Sequence, residues 1–450
     1  MSKQHGREND QLCDRLARGI DGGEMHALAA AIFPICRSIT GPGVRATLAH
    51  LARHIPLNVV EVKSGTAAFD WTVPREWTIR DAYIEDDAGN RVVDFHNNAL
   101  HVLNYSTPVR TRMRLADLKR HIHTLPAQPT LIPYRTSYYQ EQWGFCMAHA
   151  HLESLPDGHY TAVIDATLAD GYLTYGEFLH PGETEDEFLL SAHICHPRQA
   201  NDNCSGLSLL THLAARLAHQ KTRHSYRFLF APGTIGSLAW LSRNEDGAAK
   251  RIKHGLVLSC VGDAGGPTYK KSRNGNTRID RAMAHVLRHA AASPSILDFS
   301  PYGYDERQFC SPGFALPVGL FQRSRFGSFP EYHTSADNLE FIAAESLLQS
   351  YRMICSAIDI IENDRVFVNQ APKGEPQLGR RDLYGALGGD VKAAEANLAM
   401  LWVLNLSDGS HSLLDIAERA VMPFALIAAT ARLLEQHGLL RAVTHTQGQS

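Results

Sequence analysis

Short apolar runs alternate with amphipathic segments from residue 187 to residue 363. The apolar runs predict buried strands, because nearly every position in them is hydrophobic. These strands lie at 187–192, 226–231, 255–261 and 316–321. The amphipathic segments have the periodicity of helices, and they lie at 207–218, 235–243, 278–291 and 338–363. Apolar strands in alternation with helices are typical of an α/β domain whose sheet is covered by helices on both faces.

The N-terminal third of the chain has a different pattern of hydrophobic and polar positions. Residues 11–55 read as helical, with an interruption at Ile39–Gly43 where glycine and proline break the periodicity. From residue 58 to residue 125, short alternating segments between turn signals predict a β-rich module. A further alternating stretch at 161–178 predicts a pair of strands joined at Asp170-Gly171.

These patterns divide the chain into three domains. The α/β domain is discontinuous and comprises residues 11–60 and 126–365, with the β-rich insert at 61–125 between its two parts. Three helices and a final strand at 376–445 follow a linker that contains proline and glycine, an order typical of a winged helix. Residues 376–450 carry six Lys/Arg and seven Asp/Glu, and without a basic excess we predict no nucleic-acid binding. We assign this domain to packing or to contact with a partner, a second copy of the chain being one candidate.

Composition and charge exclude several classes of protein. With 44% hydrophobic and 20% charged residues among 450, the chain has the composition of an ordinary globular protein. A formal net charge of −3 gives no electrostatic argument for nucleic acid or an anionic membrane as partner. The eight cysteines include no CxxC pair and predict free thiols. The polar N-terminus and the absence of a long apolar run predict a soluble, cytoplasmic protein.

Candidate metal ligands follow the first and the last predicted strands. The carboxyl ends of strands carry the reactive groups of α/β sheets. The first strand leads into a loop with His193 and Asp202, and the last leads into a loop with His333. Two imidazoles and a carboxylate, with a fourth position open for water, are the ligand set of a catalytic zinc ion. His196 is a candidate fourth ligand, although we expect it to act in the turn.

Six stretches of the chain resemble known proteins. Three of them resemble the zinc aminopeptidase superfamily, which includes glutaminyl cyclases and glutamate carboxypeptidases: HICHPRQANDNCSG, YRFLFAPGTIGSLAWL and PEYHTSADNLEFI. The others are similar to a bacterial aminopeptidase-like branch associated with polysaccharide biosynthesis: PICRSITGPGVRATL, SGTAAFDWTVPREWTIRDAYI and IPYRTSYYQEQWGFC. The resemblance covers nearly the whole chain. It implies a phosphorylase/hydrolase-like mixed sheet flanked by helices, a small β-rich insert and a C-terminal winged helix.

The resemblance also implies roles for individual residues. His193 matches the first metal histidine of the superfamily, Asp202 the aspartate that bridges two metals, and His333 the final metal histidine. The aminopeptidases usually have two consecutive glutamates, a general base and a metal ligand, where this chain has Gly233 and Thr234. These departures favour one zinc ion over two.

A further departure concerns the third predicted strand. The aspartate expected near its end is Ser259 by close alignment, with Asp263 four residues later as a candidate substitute. The loss of the base glutamate is a larger difference, since a metal-bound water needs a proton acceptor during attack on an amide. We expect the space beside Gly233 to be empty or filled by substrate.

Other side chains could supply what Gly233 lacks. Glu331 and Asp305 are the candidate catalytic carboxylates. Glu331 lies in the loop that follows the last predicted strand and carries His333, and Asp305 lies in a separate loop. The candidate substrate-binding residues are aromatic or cationic. Instead of binding substrate, the aromatic residues could pack in the core and the cationic ones could lie on solvated loops. They are Tyr134, Arg135, Tyr139 and Arg323.

The resulting functional hypothesis is a zinc-dependent, aminopeptidase-like amide hydrolase that acts on a small aminoacyl or peptide-like substrate. Gly233 favours an alternative in which the protein does not hydrolyse. In that case it binds a ligand or a partner, or it performs acyl transfer or cyclisation with a substrate amine as the nucleophile.

Overall fold

The computed structural model describes residues 11–290, 293–381, 383 and 391–443. These residues form two compact units, and each is considered by itself. The larger unit contains residues 19–280 and 293–351, and the smaller contains the described residues of 11–18, 281–290 and 352–443. Some predicted positions lie outside the described residues: residue 291 of a predicted helix and residues 382, 384–390 and 444–445 of the predicted winged helix.

The helices of the larger and smaller units follow much of the predicted pattern. In chain order, the α-helices of the described residues are α1 (Leu12–Ala17), α2 (Gly22–Ile32), α3 (Pro42–Leu51), α4 (Leu115–Leu118), α5 (His149–Ser154), α6 (Gly206–Leu217), α7 (Ile235–Asn244), α8 (Ala248–Arg251), α9 (Arg278–Ala290), α10 (Glu306–Phe309), α11 (Ala344–Asn363), α12 (Val391–Leu406), α13 (Leu413–Ala420) and α14 (Phe424–Gln436). Short 3₁₀ turns lie at Ala99–His101, Lys119–His121 and Leu378–Arg381, and a distorted π-helical turn lies at Ala200–Ser205.

The strands are more numerous than the apolar runs alone predict. In chain order they are β1 (Asn58–Lys63), β2 (Ala67–Ala68), β3 (Trp71–Thr72), β4 (Glu76–Asp86), β5 (Arg91–Asp94), β6 (Val109–Arg114), β7 (Ile122–His123), β8 (Phe145–Cys146), β9 (His159–Ala169), β10 (Tyr172–His180), β11 (Glu187–His193), β12 (Ser225–Ala231), β13 (Ile252–Leu258), β14 (Thr268–Lys270), β15 (Ser295–Leu297), β16 (Val318–Gln322), β17 (Val366–Asn369), β18 (Asp408–Ser412) and β19 (Leu440–Ala442).

A mixed eight-stranded sheet forms the centre of the larger unit. Its strand order is β1-β10-β12-β11-β13-β16-β14-β15. The inner strands β12, β11, β13 and β16 are parallel, whereas β10 is antiparallel to both of its neighbours. Every residue of β11 and β12 is buried, which is why their sequences are nearly continuous apolar runs. The predicted α/β class with a mixed sheet flanked by helices is confirmed.

A second sheet in the larger unit has the order β5-β4-β9-β6. It joins strands of the predicted β-rich insert to β9, which lies beyond residue 125. The two strands predicted at 161–178 are present as β9 and β10, joined at Asp170-Gly171, but they belong to different sheets. β9 pairs along its length with β4, and β10 pairs with β1 and β12. Alternation along a strand shows that one face is buried, but it does not identify the partner strand.

The smaller unit contains a three-stranded sheet of order β18-β17-β19 together with helices α12 to α14. Ser412 and Asp415 form a capping box at the start of α13, with the Ser412 hydroxyl accepting a hydrogen bond from the Asp415 backbone N–H. The central strand β17 precedes residue 376, where the predicted winged helix begins. Within the described residues, no helix has the length and apolar character needed to cross a membrane.

Candidate metal centre

Three histidines surround one carboxylate at the carboxyl end of the central strand β11. His193 is the last residue of that strand, Asp202 lies on the π-helical turn, and His333 lies in the loop after β16. The Asp202 carboxylate lies 2.9 Å from His193 Nε2, 3.0 Å from His333 Nε2 and 3.2 Å from His196 Nδ1. The structure therefore brings together the three predicted ligands and adds His196, for which we expected a role in the turn.

Burial and the charges within the cluster together set its protonation states. His193 and Asp202 are each 1% exposed. Burial alone acts to raise the pKa of Asp202, but the neighbouring His196 and His193 outweigh it and hold that pKa well below its ordinary value. Burial lowers the pKa of His193 to about 4 in spite of the Asp202 charge. The His193–Asp202 pair is therefore a neutral imidazole beside a carboxylate, the state that a metal ion requires of its ligands. Against the effect of burial, Asp202 and Cys195 hold the pKa of His196 well above its ordinary value.

One atom of the cluster lacks a hydrogen bond among the described residues. His193 Nε2 is buried and close to Asp202 Oδ1, but the two are not aligned as donor and acceptor. A buried polar nitrogen without a partner is costly, and a metal ion would use its lone pair. His193, His196 and Asp202 offer ligand atoms that all lie within 4.8 Å of one another. Ligand atoms of a tetrahedral zinc ion at ~2.1 Å are roughly 3.4 Å apart, so these three residues are close enough to share one ion. The predicted ligand His333 is not part of this group of three.

Two side chains hold the turn that carries Asp202. The Asp337 carboxylate accepts hydrogen bonds from the backbone N–H groups of Asn201 and Asp202, at 2.6 and 3.0 Å. The buried Arg37 guanidinium donates to the His196 carbonyl at 2.9 Å from the other side. Because these contacts fix the backbone on both sides of the cluster, the imidazoles and the carboxylate are positioned before any ligand binds.

Ser259 and Asp263, the residues near the end of the third predicted strand, are both engaged in hydrogen bonds. The Ser259 hydroxyl donates to Asp202 Oδ1 at 3.2 Å. Asp263 is buried, and its two carboxylate oxygens accept from Asn201 Nδ2 at 2.8 Å and from the Ser324 hydroxyl at 2.7 Å. Asp263 is therefore engaged in joining loops together. This arrangement supports the prediction of one ion, which stays a prediction.

Tyr304 fills the space beside Gly233. A Cβ atom added to Gly233 would lie 1.9 Å from the Tyr304 hydroxyl oxygen and 2.3 Å from its Cζ. That hydroxyl also lies 3.2 Å from His196 Nε2 and 3.5 Å from Cys195 Sγ. The expectation that this space is empty or held by substrate is wrong, because the loop before α10 folds over the end of β12. No local sequence pattern indicates this contact, since 71 positions separate the two residues.

Two residues at the cluster or beside it have a strained backbone. His333 has a φ of 55° and Thr234 a φ of 60°, in the left-handed region that non-glycine residues rarely adopt. Thr234 is β-branched, so its conformation needs support from its surroundings. The support comes from Asp305, whose Oδ1 accepts a hydrogen bond from the Thr234 N–H at 2.7 Å.

The two predicted catalytic carboxylates lie outside the cavity that opens beside the cluster. Asp305 is buried on the backbone of Thr234, and burial raises its pKa to about 7. Glu331 is half-buried, and its carbonyl accepts hydrogen bonds from Thr334. Neither belongs to the described residues that line the cavity. Their catalytic roles stay predictions.

The cavity has a volume of about 1040 Å³ and reaches His196, His333 and Tyr304. Its walls include the predicted substrate-binding residues Tyr134, Arg135 and Tyr139. The fourth such residue, Arg323, is only 6% exposed, and its guanidinium contacts the Ser346 carbonyl and the Gln349 side chain at 3.4 Å. Arg323 therefore does not line the cavity. Tyr304 does line it, and sequence reasoning did not identify that residue. Two further arginines and several aromatic side chains complete the walls: Arg273, Arg307, Trp71, Tyr138 and Phe299.

This combination of sheet, cluster and C-terminal module defines an aminopeptidase-like α/β protein with a winged helix. Residues 26–364 match a family described as "Domain of unknown function (DUF4910)", and the chain belongs to that family. Residues 365–442 match a winged helix-turn-helix family, which confirms the predicted C-terminal module and includes β17.

Similar proteins of known name support this description. A Clostridium acetobutylicum protein named for polysaccharide biosynthesis and an aminopeptidase-like domain is 50% identical over 422 residues, covering 94% of this chain and 97% of the relative. A crystal structure from the same organism, described as that of a peptidase, has a TM-score of 0.90 at 48% identity and covers 96% of this chain and 98% of that one. A zinc aminopeptidase from Bacillus subtilis has a TM-score of 0.55 at 15% identity, covering 78% and 95%, and so shares the fold.

Proposed function

We propose that this protein is an aminopeptidase-like amide hydrolase that binds one zinc ion and acts on a small aminoacyl or peptide-like substrate. The buried, unbonded His193 Nε2 beside Asp202 is the observation that carries the proposal. His196 and His333 complete a nitrogen and oxygen donor set at the wall of a large cavity. The name of the Clostridium acetobutylicum relative links that protein to polysaccharide biosynthesis, and we extend a biosynthetic role to this chain.

Each group at the site has a distinct part in this proposal. His193, His196, Asp202 and His333 would hold the ion, which when bound supplies Lewis-acid polarisation of a carbonyl and a water of lowered pKa. Burial raises the pKa of the Tyr304 phenol well above its ordinary value of about 10, so this group is protonated at neutral pH. It would therefore donate a hydrogen bond to oxygen charge that develops during the reaction, as oxyanion donors do. Tyr134 packs against His333 with ring centroids 5.0 Å apart and limits access of water.

A second candidate function follows from the position of Tyr304. Its hydroxyl lies where the superfamily glutamate would extend from Gly233, and neither Asp305 nor Glu331 lines the cavity. Hydrolysis needs a group that accepts a proton from water. An amine of the substrate can instead attack the carbonyl as the nucleophile. The same site then supports acyl transfer or cyclisation.

Metal analysis of the purified protein tests the proposed ligands. We expect about one equivalent of zinc in the wild type and less than about a tenth of that in His193→Ala, since loss of one ligand from an open site removes most of the affinity. His219→Ala is the matched control, because His219 is exposed just after α6. A wild type that binds no zinc after loading, or a His193→Ala variant that binds as well as wild type, would overturn the proposal.

The reaction products distinguish the two candidate functions. A panel of aminoacyl amides is incubated with the zinc-loaded protein, and the products are identified by mass spectrometry. Hydrolysis adds the mass of water to the acyl fragment and releases an amine. Cyclisation releases ammonia or an amine without adding water, and transfer appears only when a second amine is present. If the protein binds zinc but forms no product, a ligand-binding role replaces both hydrolysis and acyl transfer or cyclisation.

A further inference from the structure

We infer that the substrate cavity recognises an oxyanion, a carboxylate or a phosphate, through Arg135, Arg273 and Arg307. This inference deepens the proposed function by naming the chemical class of the substrate, and it rests on that function. Three guanidinium groups line one cavity, and the described lining residues include no aspartate or glutamate. The walls are therefore cationic in a chain whose net charge is −3.

The three arginines come from separate parts of the larger unit. Arg135 lies in the aromatic segment before β8, Arg273 follows β14, and Arg307 lies on α10. The fold thus gathers at one cavity three positive charges that are distant in the sequence. Clefts lined by one sign of charge, with walls of low dielectric constant, concentrate the electrostatic potential and attract ligands of opposite charge.

Among the described residues, several arginines of the larger unit form ion pairs, but the three in the cavity do not. Some exposed arginines on the four-stranded sheet form ion pairs, as Arg112 does with Asp87 at 2.7 Å. The buried Arg227 binds Glu187 at 2.6 Å. Within the described part of the chain, by contrast, the guanidinium groups of the three cavity arginines form no ion pair. Their donors are free to bind a carboxylate or a phosphate, both of which match the planar fork of arginine.

The cavity also has the size and the apolar surface for a substrate larger than one aminoacyl group. Its volume of about 1040 Å³ is at the upper end for small-molecule sites. Trp71 and Tyr139 are 41% and 47% exposed, and their rings meet edge to face with centroids 5.1 Å apart. Large exposed aromatic rings at a cavity are typical of a ligand-binding surface. They offer a contact for the part of the substrate that joins its anionic group to the reacting amide.

Calorimetric titration of the full-length protein tests the inference with inorganic phosphate and with glutarate, and glutaramide serves as the neutral counterpart of glutarate. We expect at least one of the anions to bind, and no heat from glutaramide. Affinity for the anion should fall between 50 mM and 200 mM KCl, since screening weakens attraction between exposed charges. Preference for phosphate or for glutarate identifies which oxyanion the site accepts.

Single substitutions then locate the binding site. Arg135→Gln, Arg273→Gln and Arg307→Gln should each weaken binding by about tenfold, the effect of losing one charge-assisted hydrogen bond. Arg307→Lys should retain part of the affinity, because it keeps the charge. Arg53→Gln removes an exposed arginine after α3, outside the cavity, and should change affinity by less than about twofold. Circular dichroism checks that each variant is folded.

The same titration on His193→Ala separates this inference from the proposed metal site. Anion binding that persists in His193→Ala and falls in the arginine variants supports the inference, even if the protein proves to bind no zinc. Binding that disappears in His193→Ala and persists in all three arginine variants places the anion on the metal and overturns it. Absence of binding by both anions to wild type, or an equal loss in Arg53→Gln, would also overturn it.

Discussion

Replacing Gly233 with alanine places a methyl group against the Tyr304 side chain. The added Cβ would lie 1.9 Å from the hydroxyl oxygen and 2.3 Å from Cζ, so Tyr304 must move. Overpacking of a buried site costs about 1–3 kcal/mol. Displacing the hydroxyl also breaks its contact with His196 Nε2 at 3.2 Å, which adds about 1 kcal/mol. We therefore expect Gly233→Ala to lower the free energy of unfolding by about 2–4 kcal/mol.

A double-mutant cycle assigns this loss to Tyr304. Tyr304→Ala removes the ring, so Gly233→Ala in that background should cost less than about 1 kcal/mol, giving a coupling of about 1–3 kcal/mol. Tyr304→Phe removes only the hydroxyl oxygen, and the ring carbon at 2.3 Å remains. We therefore expect phenylalanine to relieve the clash less than alanine does. The comparison separates the effect of ring volume from that of the hydroxyl.

Urea denaturation of metal-free protein measures the cycle, with intrinsic tryptophan fluorescence as the probe. Trp240 is fully buried in the larger unit, whose unfolding its emission reports. A second probe, far-ultraviolet circular dichroism, shows whether the transition is two-state, as the analysis requires. A cost for Gly233→Ala below about 0.5 kcal/mol, or an equal cost with and without the Tyr304 ring, would refute the reasoning, because neighbours in contact must couple.

Three further predictions follow from named contacts. Gly233→Glu combined with Tyr304→Ala should raise amide hydrolysis by about 10²–10⁴ over Tyr304→Ala alone if only the base is missing, whereas Gly233→Glu alone should not; a chromogenic aminoacyl amide measures both rates. Burial lowers the pKa of His254 to about 3, so its contribution to the free energy of unfolding is complete above pH ~6.5 and is lost as the pH falls from there toward about 3. In urea denaturation at pH 4–7, His254→Phe should flatten the pH dependence of the free energy of unfolding, and an unchanged pH dependence would contradict this. The winged helix should show no salt-dependent affinity for duplex DNA in a low-salt gel-shift assay, given six basic and seven acidic residues over 376–450.

The central strands could be predicted because burial on both faces leaves a continuous apolar run. β11 and β12 agree closely with their predicted ranges. The third strand shows the limit of this reasoning, since it ends at Leu258 and not at residue 261. Cys260 and Val261 are buried but lie beyond the strand, and Cys260 has a φ of 51°. An apolar run therefore marks burial, and a strand is only one way for residues to be buried.

The metal cluster could be predicted in part because its residues follow strand ends. His193 and Asp202 share one loop, and the parallel order of β11, β13 and β16 brings the loop of His333 to the same edge of the sheet. The spacing of His196 from His193 was visible in the sequence, but nothing there separated a ligand from a turn residue. In the structure His196 Nδ1 lies 3.2 Å from the Asp202 carboxylate and 3.2 Å from the Asp202 carbonyl oxygen, so it contacts both the cluster and the turn.

Tyr304 shows why the rest of the site was out of reach of sequence reasoning. A glycine in place of an expected glutamate indicates a loss, and the pattern along the chain gives no reason to expect a replacement from another loop. The replacement depends on three contacts of one hydroxyl group, with His196, Cys195 and the space beside Gly233. None of these partners is local to Tyr304, so no periodicity or motif encodes them. A superfamily position that has lost its side chain is therefore best judged by what fills the vacated volume, because the chemistry of that neighbour determines which reactions the site can still support.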